Sequence, residues 1–270
     1  MSSESSKVFT KENLDKYLNE LSKEYKRIGG RKLPVEIVLI GGAAIIENYG
    51  FREMTTDIDA ILPSVSIMKD AINRVGDRFG LPNGWLNADF TQTDSYSLSL
   101  VQYSIPYKTF NQVLNVRMVT GEYLIAMKLR AGRKYKNDLS DIIGILAEHK
   151  SANKPISYEM IDEAVNDLYG GWEQFSEDAV SFIRNIIKET DLITAYKQTR
   201  DDEKNAREIL LDFQDDYPDV LNAKNISNIL KNQTKRTQKT SVIEKLEKKK
   251  HELESMRPKQ KKSRSDREER

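Results

Sequence analysis

Val35-Glu36-Ile37-Val38-Leu39-Ile40 runs directly into Gly41-Gly42-Ala43-Ala44, and a short gap later the chain reads Thr55-Thr56-Asp57-Ile58-Asp59. The first six residues follow Pro34 and are dense in β-branched side chains, which predicts a mostly buried strand. Two glycines then break it and let backbone approach a ligand closely. Ala43 to Tyr49 suits a short helix ending at Gly50. The unpaired N–H groups and positive dipole end of such a helix form a natural phosphate cradle. Asp57 to Leu62 reads as a second strand, stopped by Pro63. Residues two apart on a strand share a face, so Asp57 and Asp59 point the same way and Ile58 points to the core. Two adjacent carboxylates repel unless a cation lies between them. A hard divalent ion such as Mg²⁺, or Mn²⁺ in its place, removes that conflict and also binds triphosphate oxygens.

Outward from this centre, Leu14, Tyr17, Leu18, Leu21, Tyr25 and Ile28 mark an amphipathic helix over 10–28, stopped by Gly29-Gly30. Met68, Ala71, Ile72, Val75 and Phe79 mark another helix closing at Gly80. Residues 81–110 show no clean period and read as mixed loop and strand. Leu114, Val116 and Met118 alternate with Asn115 and Arg117, a strand over Val113–Val119. Helices are expected from Glu122 to about Arg133 and from Leu139 to His149. After Pro155 the pattern is all helical, with weaker helices near 191–213 and 219–231. The implied class is α+β: a short mixed β-sheet flanked by helices, then a helical C-terminal block. The expected divisions are an N-terminal helix packing on the core (1–34), the α/β core (35–150), a helical domain (151–231) and a tail (232–270).

Composition narrows the chemistry. The chain has no cysteine and only two histidines, His149 and His251. That excludes disulfides and a thiol nucleophile, and argues against a multi-histidine zinc site or a Ser-His-Asp triad. Carboxylates, hydroxyls, Lys/Arg and backbone amides must do the work. The start of the chain is polar and serine-rich, and no apolar run approaches a membrane span, so the expected location is cytoplasmic, with no membrane partner. Residues 231–270 hold 15 Lys/Arg against 7 Asp/Glu, while the rest is mildly acidic. Such a basic tail is either simply solvated or a contact for nucleic acid or a partner protein.

The order strand, Gly-Gly, helix, Asp-x-Asp strand resembles the DNA polymerase beta-type nucleotidyltransferase superfamily. It is most similar to small bacterial members related to the abortive-infection and toxin–antitoxin nucleotidyltransferases. Three segments carry the likeness: Val38 to Ala44; Phe51-Arg52-Glu53-Met54-Thr55-Thr56-Asp57-Ile58-Asp59; and Glu122 to Arg133 with Asn137-Asp138-Leu139-Ser140-Asp141-Ile142. The resemblance implies that Asp57 and Asp59 bind Mg²⁺ and that Gly41 and Gly42 contact the phosphates of a nucleoside triphosphate. It places Arg52 and Thr56 beside the nucleotide and turns Lys128 toward the triphosphate. The acceptor it implies is an RNA end, a protein hydroxyl or a small molecule, and the further partner a cognate protein.

One departure from the pattern stands out. Active members have a third carboxylate on a later strand, and the Val113–Val119 strand offers only Asn115 and Arg117. Asp89 is the first candidate for that catalytic role, ahead of Asp94. Without it, the chain would bind nucleotide and not transfer it. Plainer readings stand beside the sharper ones. The glycines could form a ligand-free turn, the Asp pair could face solvent, and Lys128 could lie on a solvated helix face. Asp138 and Asp141 read as structural ion-pair partners for Arg133 and Arg130, Arg52 as either a loop anchor or a phosphate contact, and His149 as structural.

Overall fold

The computed structural model describes residues 8–222 and 225–232. They fall into two compact units, one up to Lys204 and one from Asn205. The basic tail beyond residue 232, and the roles suggested for it, lie outside the described residues.

The first unit is built on a five-stranded sheet of β1 (Val35–Leu39), β2 (Ile58–Ile61), β3 (Leu86–Asn87), β4 (Ser104–Phe110) and β5 (Leu114–Val119). The order across it is β3-β2-β1-β5-β4. β1 pairs antiparallel with β2 and parallel with β5, so the sheet is mixed. The α+β expectation holds. β1 occupies the centre because its Val, Ile and Leu side chains can be buried on both faces: Ile37 and Leu39 on one, Val38 on the other.

Helices α1 (Lys11–Arg27), α2 (Gly41–Asn48) and α3 (Ser66–Phe79) accompany the strands, with α1 packed on α2, α3 and β4. The buried stripe of α1 is Leu14, Leu18, Leu21 and Tyr25, as its spacing foretells. α3 closes at Gly80, whose left-handed φ of 58° makes it a C-cap. α4 (Gly121–Ala131) and α5 (Asp138–Ser151) follow the last strand, and α6 (Tyr158–Tyr169) and α7 (Glu177–Ile186) pack on α4. α8 (Leu192–Asp216) begins in this unit, and residues 226–232 form a further helical stretch in the second. Among the described residues no helix is long and apolar enough to cross a membrane.

The segment without a legible period, 81–110, contributes two strands and two 3-10 turns. β3 has only two residues and exists because Leu86 and Asn87 pair with Ile58 and Asp59. β4 is an edge strand carrying Pro106, with an irregularity in its register between Pro106 and Lys108. A proline tolerated only at an edge or bulge obscures the alternation expected of a strand.

Candidate active site

Gly41 opens α2 with φ of +55°, a left-handed conformation that disfavours any side chain. The place where its Cβ would stand is 3.2 Å from Asp59 Oδ2. The glycine turn and the second aspartate of the pair are therefore in contact. Register explains this: β1 runs antiparallel to β2, Leu39 faces Ala60, and the Ile40 N–H donates to the Asp59 carbonyl at 3.0 Å. Along β2, Ile58 and Ala60 are buried while Asp59 and Ile61 are half-buried, the alternation that puts Ile58 in the core and Asp59 on the other face. Asp57 lies just before the strand and is exposed.

Electrostatics at Asp59 reflect this crowding. Burial pushes its carboxyl up to about 6, the charge of Asp57 pushes the same way, and Arg133 and Lys128 pull against them. Asp89 also raises it, so its charge reaches the pair. Asp89 is exposed and follows β3, whose Asn87 is the strand partner of Asp59. That edge strand lies on the side of β2 away from β1 and β5. Asp94 is exposed in the loop that follows.

Gly42 is the second close approach. A Cβ there would lie 2.5 Å from Thr55 Oγ1 and 2.9 Å from Arg52 Nη2. Thr55 is buried and held by Phe9, the two exchanging backbone hydrogen bonds of 2.7 and 2.9 Å. Arg52 donates from Nη1 to Asp141 Oδ2 at 2.6 Å and from Nε to the Met54 carbonyl at 3.1 Å. It ties the loop before the Asp pair to α5. Thr56 is exposed, and its hydroxyl donates to Asp57 at 3.4 Å.

Behind these residues lies an ionic cluster. Lys128 on α4 is buried and sits 3.0 Å from Asp138 and 2.8 Å from Asp141. Burial alone would lower its pKa, but the two carboxylates outweigh it and the net direction is upward. Arg133 grips Asp138 through Nε at 2.7 Å and Nη2 at 3.2 Å. Burial pushes the Asp138 carboxyl up, and Lys128 and Arg133 overcome it, holding the group at about 2. Arg130 takes no part: it donates to the Gln174 carbonyl and lies over the Phe175 ring. Glu203, midway along the long α8, caps α5 by accepting from the Leu139 N–H and the Ser140 hydroxyl.

Residues 16–179 match a family model described as "Nucleotidyltransferase of unknown function (DUF6036)". The chain belongs to this nucleotidyltransferase family. The matched span, more than half of the chain, includes the glycine turn, the Asp-x-Asp strand and the ionic cluster. No curated protein and no solved structure matches it.

In this nucleotidyltransferase-family chain the fold brings Gly41, Gly42, Arg52, Asp57 and Asp59 to one end of the sheet. It sets Lys128 beneath them, inside the ion pairs. Two structural roles read from sequence hold: Asp138 and Asp141 are ion-pair partners, and His149 bonds Tyr49 and the Lys154 carbonyl. Of their expected cations Arg133 is present, while Lys128 and Arg52 stand where Arg130 was expected. Phe9 escaped the sequence reading, and Arg133 entered it only as an ion-pair partner. Phe9 is a lone aromatic in a polar run, and Arg133 is one of several basic residues at a helix end.

The donor set suits a hard divalent cation. Asp57 and Asp59 supply only oxygen, and each other's charge opposes their joint ionisation. Among the described residues no group of three or more His, Asp or Glu side chains is placed to hold a metal ion alone. Mg²⁺ is commonly held by one or two carboxylates, with phosphates and water completing its shell.

Proposed function

We propose that this chain transfers a nucleoside monophosphate from a Mg²⁺-bound nucleoside triphosphate to an acceptor: an RNA end, a protein hydroxyl or a small molecule. The observation that carries the reading is the contact between Gly41 and Asp59, which puts the backbone amides opening α2 beside the carboxylate pair. The Gly41 and Gly42 amides bind phosphate oxygens at the helix N-terminus. Asp57 and Asp59 hold the ion, which when bound neutralises charge on the transferring and leaving phosphates. Arg52 and Thr56 keep the loop before the pair in place. Asp89, whose charge reaches Asp59, accepts the proton of the attacking hydroxyl. The likeness to toxin–antitoxin and phage-defence nucleotidyltransferases supports a cytoplasmic setting in which RNA or a protein is the acceptor.

The test is to incubate the full chain with each α-labelled nucleoside triphosphate, Mg²⁺ and cell extract. Label should move to a macromolecule or metabolite with wild type and not with Asp57→Ala/Asp59→Ala. Equal transfer by both, or none by wild type, rejects the proposal. One observation favours a second reading, a nucleotide-binding or antitoxin-like regulatory module: no third acid completes a metal-holding group among the described residues. It predicts saturable nucleotide binding without turnover.

A further inference from the structure

Three cations and two carboxylates make up the cluster beside the Asp59 strand: Arg52, Lys128 and Arg133 against Asp138 and Asp141. One positive charge is unmatched within it, and access to solvent decides which residue presents that charge. The Arg52 and Lys128 side chains are 17% and 11% exposed, whereas that of Arg133 is 42% exposed.

Hydrogen bonding points to the same residue. The Lys128 ammonium lies between Asp138 and Asp141, at 3.0 and 2.8 Å, and cannot reach a ligand without leaving two buried carboxylates behind. Arg52 spends Nε on Met54 and Nη1 on Asp141, and its Nη2 points to Thr55. Arg133 spends Nε and Nη2 on one carboxylate, that of Asp138. A guanidinium has five coplanar N–H donors, so this two-point grip fixes its plane and leaves the Nη1 edge turned away from Asp138. Gly132, left-handed at φ +55°, ends α4 immediately before it and turns Arg133 off the helix. Asp59 and Arg133 each feel the other's charge.

We propose that Arg133, held in place by Asp138, is the side chain that grips the triphosphate, and that Lys128 is a buried strut joining α4 to α5. This rests on the nucleotidyl-transfer reading above and assigns its phosphate contact to a residue the motif does not single out. Arg133 is a binding residue, Asp138 its positioning residue, and the surplus charge of the cluster is directed at the anion.

The test uses the full chain and a probe without a base, magnesium tripolyphosphate, beside Mg²⁺-ATP, -GTP, -CTP and -UTP, with affinity read by calorimetry. Arg133→Met should weaken tripolyphosphate and the preferred nucleotide together, on the order of 10- to 100-fold, the worth of charge-assisted hydrogen bonds. Arg133→Lys should fall between, since it keeps the charge and loses the fork. Both variants should stay folded, with Arg133→Met melting below wild type because Asp138 keeps only Lys128 as its cation. If wild type binds tripolyphosphate and Arg133→Met binds it equally, this inference falls and the transferase reading stands. If wild type binds neither probe, both fall. Should Arg133→Met unfold, a folded Arg133→Lys that binds as tightly as wild type overturns the inference.

Discussion

Lys128→Met separates a structural lysine from a phosphate-facing one. In the folded chain Lys128 is the shared partner of Asp138 and Asp141, whose side chains are almost fully buried. Removing one partner of a buried ionic group costs roughly 3–5 kcal/mol, because the charge left behind is not resolvated. Arg133 still reaches Asp138 and Arg52 still reaches Asp141, so the loss should lie at the low end, about 3 kcal/mol. Linkage supplies a second signature. Although burial opposes it, Lys128 and Arg133 hold the Asp138 carboxyl at about 2, below its ordinary value. A carboxyl depressed on folding adds stability above its unfolded pKa, about 4, and loses it as pH falls toward the folded value. Two units of depression correspond to on the order of 2–3 kcal/mol. Without Lys128 the depression shrinks, so the gap between wild type and variant should narrow as pH falls from about 4 toward 2. Urea denaturation followed by far-ultraviolet circular dichroism, at neutral pH and through this acid window, measures both. A loss under about 0.5 kcal/mol, or a gap that does not change with pH, would refute the strut.

Three further outcomes follow from the same geometry. Asp59→Asn should abolish transfer and yet stabilise the metal-free protein at pH 7.5, by at most about 3 kcal/mol and less for its partial exposure. A carboxyl raised to about 6 adds stability below its unfolded value and loses it as pH rises through 6, and Mg²⁺ should raise the melting temperature of wild type only. Gly42→Ala forces a methyl within 2.5 Å of Thr55 Oγ1, where Phe9 pins the backbone, so it should cost roughly 1–3 kcal/mol and weaken nucleotide binding, whereas equal melting would show the turn to be slack. Burial raises the Glu203 carboxyl to about 7 against its hydrogen bonds to Ser140 and Leu139, so stability should decline as pH climbs from about 4.5 through 7. Glu203→Gln should flatten that decline in a pH series of melting curves, and an unchanged slope would assign it elsewhere.

How much was legible depended on whether local pattern or distant pairing set the structure. β1, α1 and α3 could be read because each carries its own periodicity and stop signal: the Val/Ile run, the α1 stripe and Gly80. The contact of Gly41 with Asp59 could be anticipated, since two strands flanking a tight turn leave few ways to pair. β3 could not be read, because two residues have no period and gain their structure from β2. β4 was hidden by Pro106 and its bulge. At the site, the acids and glycines were visible by type and spacing, and the state of Lys128 was not. Whether a helical lysine faces solvent, phosphate or buried acids is fixed by how α5 packs on α4, and Asp138 and Asp141 lie on that second helix. Phe9 was invisible for the same reason, its value lying in the Thr55 backbone it meets across the fold.

The most direct measurement is a paired one: the chain is given the same nucleoside triphosphate labelled at the α-phosphate in one reaction and at the γ-phosphate in the other, with Mg²⁺ and the acceptor fraction. Nucleotidyl transfer predicts that the α label becomes attached to acceptor and the γ label leaves as pyrophosphate, with both events lost on chelation. Movement of the γ label to acceptor, or saturable binding with neither label moved, would contradict the account.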